Sequence, residues 1–139
     1  MNPAIKLSLV ASGLFLLTGM LAGVLKYQRI MTSAKHRAPV YVDIAHRASL
    51  LYSFAALVIA KLLEHSPFSQ NVQLIAAAVP LFYFAVTIIL YVTLGLRDTT
   101  GNQFSQRNFV TTWGMYMLIA GEIGGFLFIF GGFLYSQLM

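Results

Sequence analysis

Cysteine is absent from this 139-residue chain, which removes disulfides, thiolate metal sites and iron–sulfur clusters. Charge is scarce: 9% of the residues are Asp, Glu, Lys or Arg, against about 25% in an ordinary soluble domain. No glycine-rich phosphate loop, nucleophile elbow or HExxH helix occurs, so nucleotide-dependent and hydrolase chemistry is excluded. The short alternating segments that mark barrel strands are missing too. What is present is 58% hydrophobic residues and a mean hydropathy of +0.76. Most lie in four continuous blocks, Leu7 to Leu25, Ala48 to Leu63, Val72 to Leu96 and Phe109 to Leu134. A bilayer core of ~30 Å needs about 20 apolar residues per helix. The sequence therefore predicts an all-α protein, an integral membrane four-helix bundle with antiparallel up-down-up-down order. It is expected to be one transmembrane domain over residues 1–139, with helices near 5–27, 46–65, 72–96 and 108–135. The first block is read as a retained helix, because its apolar run is longer than a signal-peptide core and continues into Leu25 and Lys26.

A net charge of +5 and a pI near 9.8 invite a nucleic-acid reading, but the placement of the basic residues argues against it. Lys26, Arg29, Lys35, Arg37 and Arg47 fall between the first two blocks, and Arg97 and Arg107 flank the last connection. Seven of the nine basic residues thus share one side, which the positive-inside rule makes cytoplasmic, with both termini outside. The expected location is multi-pass in a membrane of the bacterial inner-membrane kind, and the expected partner is the lipid bilayer, with no nucleic acid. Pro39 makes an extended or turning stretch around Ala38. Ser66-Pro67 marks a tight turn, and the polar stretch Arg97 to Asn108 lies on the same side as the first connection, so that the two loops could form a mouth over the bundle.

Polar and small residues mark the faces that meet protein. His46, Ser49, Ser53, Ala56 and Ala60 recur at steps of three and four on the second helix, as do Pro80, Tyr83, Thr87 and Tyr91 on the third. Gly19 to Gly23 and Gly121 to Gly125 match the small-xxx-small pattern of close helix contact. Counted from the cytoplasmic edge at ~1.5 Å per residue, His46, Ser49 and Tyr91 fall in neighbouring layers, with Ser53 and Thr87 about a turn deeper. Glu122 falls near mid-membrane, where an ionised carboxylate costs at least ~2.5–3.5 kcal/mol unless paired, so it is expected to be protonated or partnered. Lys61, at similar depth, is its expected partner, with outward snorkelling past Glu64 as the alternative.

Three readings of these groups compete. In the first, His46 is the axial ligand of a haem, in a pocket lined by Ser49, Ser53 and Thr87. His36 in the loop and His65 on the opposite face leave that imidazole alone. In the second, Glu122 titrates in a proton path with Lys61, Tyr116 and Tyr83. In the third, the chain is a non-catalytic accessory subunit of a larger membrane complex, and its polar groups fix helix register.

The run Ala45-His46-Arg47-Ala48-Ser49-Leu50-Leu51-Tyr52, the late Tyr91 of the third helix and the Gly101-Asn102-Gln103-Phe104 loop resemble styrene oxide isomerase. The resemblance implies a homotrimeric four-helix membrane protein that binds haem b and isomerises epoxides. It implies His46 as the metal ligand and Tyr91 as the active-site phenol. Tyr52 is a further catalytic candidate, since it stands where that family carries an asparagine. The iron would act as a Lewis acid on a small apolar substrate.

Overall fold

The computed structural model describes all 139 residues, and they form four long helices with no strands. Helix α1 spans Pro3–Thr32, α2 Val40–Leu63, α3 Gln70–Arg97 and α4 Met115–Leu138, the last preceded by a π-helical turn, Val110–Gly114. Each of the four is long and apolar enough to cross a membrane. Local chemistry sets where they begin. The Asn2 side chain accepts from the Ala4 N–H at 2.9 Å, with Pro3 at the first helical position, where a missing N–H costs nothing.

The second helix starts six residues earlier than the sequence predicts, at Val40 instead of His46. The expected extended stretch around Ala38 is present and ends at Pro39, whose backbone is still extended (ψ 143°) as the helix cap, and Asp43 in the first turn complements the helix dipole. His46 is consequently nearly two turns inside α2 and not at its first residue. Helix α3 ends at Asp98, which takes the left-handed conformation (φ 48°) and donates its N–H to the Leu94 carbonyl at 2.9 Å.

The core is built mainly by α1, α2 and α3. Ala4, Ala11, Phe15, Ala56, Ile59 and Leu81 are buried in it, and α4 adds Ile129. The small stripe on α2 is buried as expected: Ser49, Ser53, Ala56 and Ala60 all face other helices. The positions of Gly23, Gly19 and Ser12 on α1 meet His46, Leu50 and Ser53 on α2, while Gly121, Gly125 and Gly132 on α4 meet Tyr83, Pro80 and Phe68. Pro80 frees the Ala76 carbonyl from the helix ladder, and Gly125 lets α4 close over that spot. Where the end of α3 meets the start of α2, Gly95 rests on the backbone of Tyr41 and Val42. Large apolar side chains such as Leu17, Leu51, Phe82 and Ile89 point outward, as lipid contact requires.

Polar contacts close both ends. At one, Asp43 bridges Lys26 (2.6 Å) and Arg47 (2.7 Å), and the Gln103 N–H donates to the Tyr41 hydroxyl at 2.6 Å, tying the last connection to the head of α2. At the other, Asn2 donates to Gln73 at 2.6 Å, Gln73 donates to the Phe68 carbonyl at 2.7 Å, and Ser136 donates to the His65 carbonyl at 2.6 Å.

Candidate functional site

Candidate groups occupy two flanks of α2. On the α1 flank, the His46 ring fills the hole that Gly23 leaves: a Cβ there would lie 2.9 Å from Cε1 and 3.0 Å from Nδ1. Its Nδ1 is 2.7 Å from the Gly19 carbonyl oxygen. A carbonyl only accepts, so Nδ1 carries the proton and the lone pair is on Nε2. Nε2 makes no hydrogen bond within the chain and is not among the enclosed unpartnered atoms. The neutral imidazole is thereby held in one tautomer, with Nε2 left without a partner in the chain.

Between the flanks lie the small polar residues. Ser53 donates to the Leu50 carbonyl at 2.6 Å, and its own carbonyl accepts from Ser12 at 2.9 Å. The Ser49 and Thr87 hydroxyls are buried and unpartnered. None of the three makes a hydrogen bond to His46; the Ser53 hydroxyl is used within α2, and it is the Ser12 hydroxyl that joins α1 to the α2 backbone.

On the α4 flank, Tyr52 and Tyr91 come together on a cavity of about 360 Å³ that also touches Arg47 and Leu51. The Tyr52 ring stacks on Phe84 with centroids 4.3 Å apart, and Tyr91 lies 5.9 Å from Tyr41. The Tyr52 hydroxyl donates to Glu122 Oε1 at 3.4 Å, and Glu122 faces a second cavity of about 450 Å³. His46 lines neither space. Six residues separate His46 and Tyr52 on one helix, which at 3.6 residues per turn points them to different sides. The expected layer of His46, Ser49, Ser53, Thr87 and Tyr91 is thus divided into an imidazole site and a phenol site.

The expected Lys61–Glu122 pair does not form. Lys61 is bound to Glu64 at 2.6 Å, and its side chain is 70% exposed. This local i,i+3 contact leaves the ammonium at the polar rim, whereas reaching Glu122 would carry it into the apolar interior. The hydrogen bond from Lys61 holds the Glu64 carboxyl below its ordinary range. Sequence reasoning missed the partnership of Tyr52 with Glu122, because no spacing rule fixes the relative rotation of two helices far apart in the chain. It also missed the seat at Gly95, where only the apparent isolation of one glycine near the end of α3 offered a signal.

No family model, curated protein or solved structure matches this chain. The site is therefore judged on its own chemistry. No three His, Cys, Asp or Glu side chains converge. A metal held by His46 must bring its other ligands with it, as a porphyrin brings four nitrogens. The donor fits that role, since an Nδ1–H to carbonyl bond is the usual support of a ligating imidazole. Ser49, Ser53 and Thr87 do not form a pocket around it, so the cover for a flat group at Nε2 has to come from beyond the single chain.

Proposed function

We propose that the chain is an antiparallel up-down-up-down bundle that binds haem b through His46 Nε2 in a homo-oligomer, a trimer as the resemblance implies. The observation that carries this is the 2.7 Å contact of His46 Nδ1 with the Gly19 carbonyl, which leaves Nε2 as an oriented, unpartnered donor. The opposed seams support the up-down order. Haem b bound there would supply a Lewis-acidic iron, suited to isomerising an epoxide or a related small apolar substrate.

This chain's residues contribute orientation and shape. Gly23 lets the imidazole lie flush against α1, and the Gly19 carbonyl prevents it from rotating. Tyr91, on the other flank of α2, offers a phenol donor beside a membrane-facing cavity, where the Tyr52 hydroxyl is already engaged by Glu122. The Tyr91 phenol reaches a substrate at His46 only if the two flanks meet across copies of the chain, which is why the reading includes an oligomer. The test is the absorption spectrum of the protein purified in mild detergent, oxidised and reduced. A Soret band that vanishes in His46→Ala supports the proposal. A colourless parent protein that co-purifies with other membrane subunits would instead favour an accessory subunit.

The competing proton-conducting reading rests on Glu122 and its contact with Tyr52. It requires proton flux in liposomes that is lost in Glu122→Gln; absence of flux in the parent protein eliminates it.

A further inference from the structure

Glu122 lies twelve residues past Val110 and sixteen before Leu138, in the middle of the last span. Its surroundings offer no counter-charge. The chain's ion pairs join Lys26 and Arg47 to Asp43 and Lys61 to Glu64, and none includes Glu122. Its one side-chain partner is the Tyr52 hydroxyl, on Oε1. The second oxygen, Oε2, makes no hydrogen bond and is not among the enclosed unpartnered atoms, and Glu122 lines an adjoining cavity of about 450 Å³. Apart from this carboxyl, that cavity is apolar, walled by Val58, Ile59 and Leu127 and by the rings of Phe84 and Phe126.

An unpaired carboxylate at this depth is costly, and a cation removes the cost only if its own body can remain in hydrocarbon. A hydrophobic ammonium ion meets both conditions. Its N–H groups donate to Oε2, its hydrocarbon part is buried against the aliphatic wall, and the aromatic rings attract the positive charge. Tyr52 holds the other carboxyl oxygen and so aims the acid. We propose that the cleft between α2 and α4 is a binding site for lipophilic organic amines in their protonated form, with Glu122 as the counter-ion and Tyr52 as its positioning residue. The site is separate from His46 and does not depend on haem.

The test is isothermal titration calorimetry on the whole protein in dodecylmaltoside, with 4-phenylbutylamine at pH 7, where an alkylamine is protonated, and with detergent alone as the blank. The expected result is saturable binding of one amine per chain, at least tenfold tighter than 4-phenylbutan-1-ol. Glu122→Gln should weaken amine binding at least tenfold, Glu122→Asp should retain measurable binding, and Ala55→Phe, which puts a ring into the cavity that Ala55 also lines, should abolish it. Three results overturn the proposal: no heat beyond the detergent blank, equal affinity for amine and alcohol, or unchanged amine affinity in Glu122→Gln. The amine–alcohol comparison uses the parent protein, so it decides the matter even if Glu122→Gln fails to fold.

Discussion

Replacing Gly95 by alanine drives a methyl group into the backbone of the neighbouring helix. The new Cβ would lie 2.9 Å from the Val42 nitrogen and 3.0 Å from the Tyr41 carbonyl carbon, about half an ångström inside ordinary contact, which begins near 3.4 Å. Those atoms belong to the first turn of α2 and cannot rotate away. Overpacking of this kind costs about 1–3 kcal/mol, and the gain in helix propensity from glycine to alanine returns about 0.5–1 kcal/mol, leaving a net loss of up to about 2.5 kcal/mol. Gly13, on α1, supplies the internal control, because a Cβ there meets nothing within 4 Å. Gly13→Ala should therefore gain about 0.5–1 kcal/mol. The propensity gain is common to both, so the variants differ by the overpacking cost of about 1–3 kcal/mol, which at roughly 2–4 °C per kcal/mol or somewhat more for a domain of this size is at least about 2 °C in thermal unfolding followed by circular dichroism in detergent. Displacement of α2 should also loosen the Asp43 bridge and the His46 contact, since both lie within the next turn. A Gly95→Ala protein as stable as Gly13→Ala would refute the close seating of α2 on α3.

Gly23→Ala should force the His46 ring off the Gly19 carbonyl, and the check is loss or shift of the Soret band at preserved helicity. Lys61→Met should change stability by no more than about 0.5 kcal/mol, as expected for an exposed site, and a much larger loss in the same denaturation assay would restore Lys61 as the partner of Glu122. Glu64, depressed by Lys61, should remain ionised through the ordinary carboxylate range as pH falls. The pair is present above the unfolded-state value and lost only as pH drops through the lower folded-state value, which the Glu64 side-chain carbon resonance should report.

Hydropathy made the four helices legible, since block length and the absence of charge depend on composition alone. The buried stripe of Ser49, Ser53, Ala56 and Ala60 was legible from its spacing for the same reason: side chains on one helix share a known geometry. Boundaries were harder. Tyr41, Val42 and Ile44 continue the apolar pattern upstream of Ala48, but Asp43 and Arg47 interrupt it, and the compensation between them appears only once they are seen to pair. The site divided where the sequence suggested unity, because depth in the membrane can be counted along a helix and azimuth between helices cannot. His46 and Tyr91 share a layer by counting, yet they face opposite flanks of α2. The Lys61–Glu122 expectation failed on the same ground, with the nearer Glu64 prevailing over a partner matched only in depth.

Gly19 and Gly23 are occupied inside the chain, by Leu50 and by His46. A synthetic peptide of α1 alone would leave that groove vacant and free to receive another copy of itself. Self-association measured on the excised segment would then report a dimer that the intact protein has no free surface to form, and the reporter signal would measure the strength of the α1–α2 seam instead of any contact between protomers.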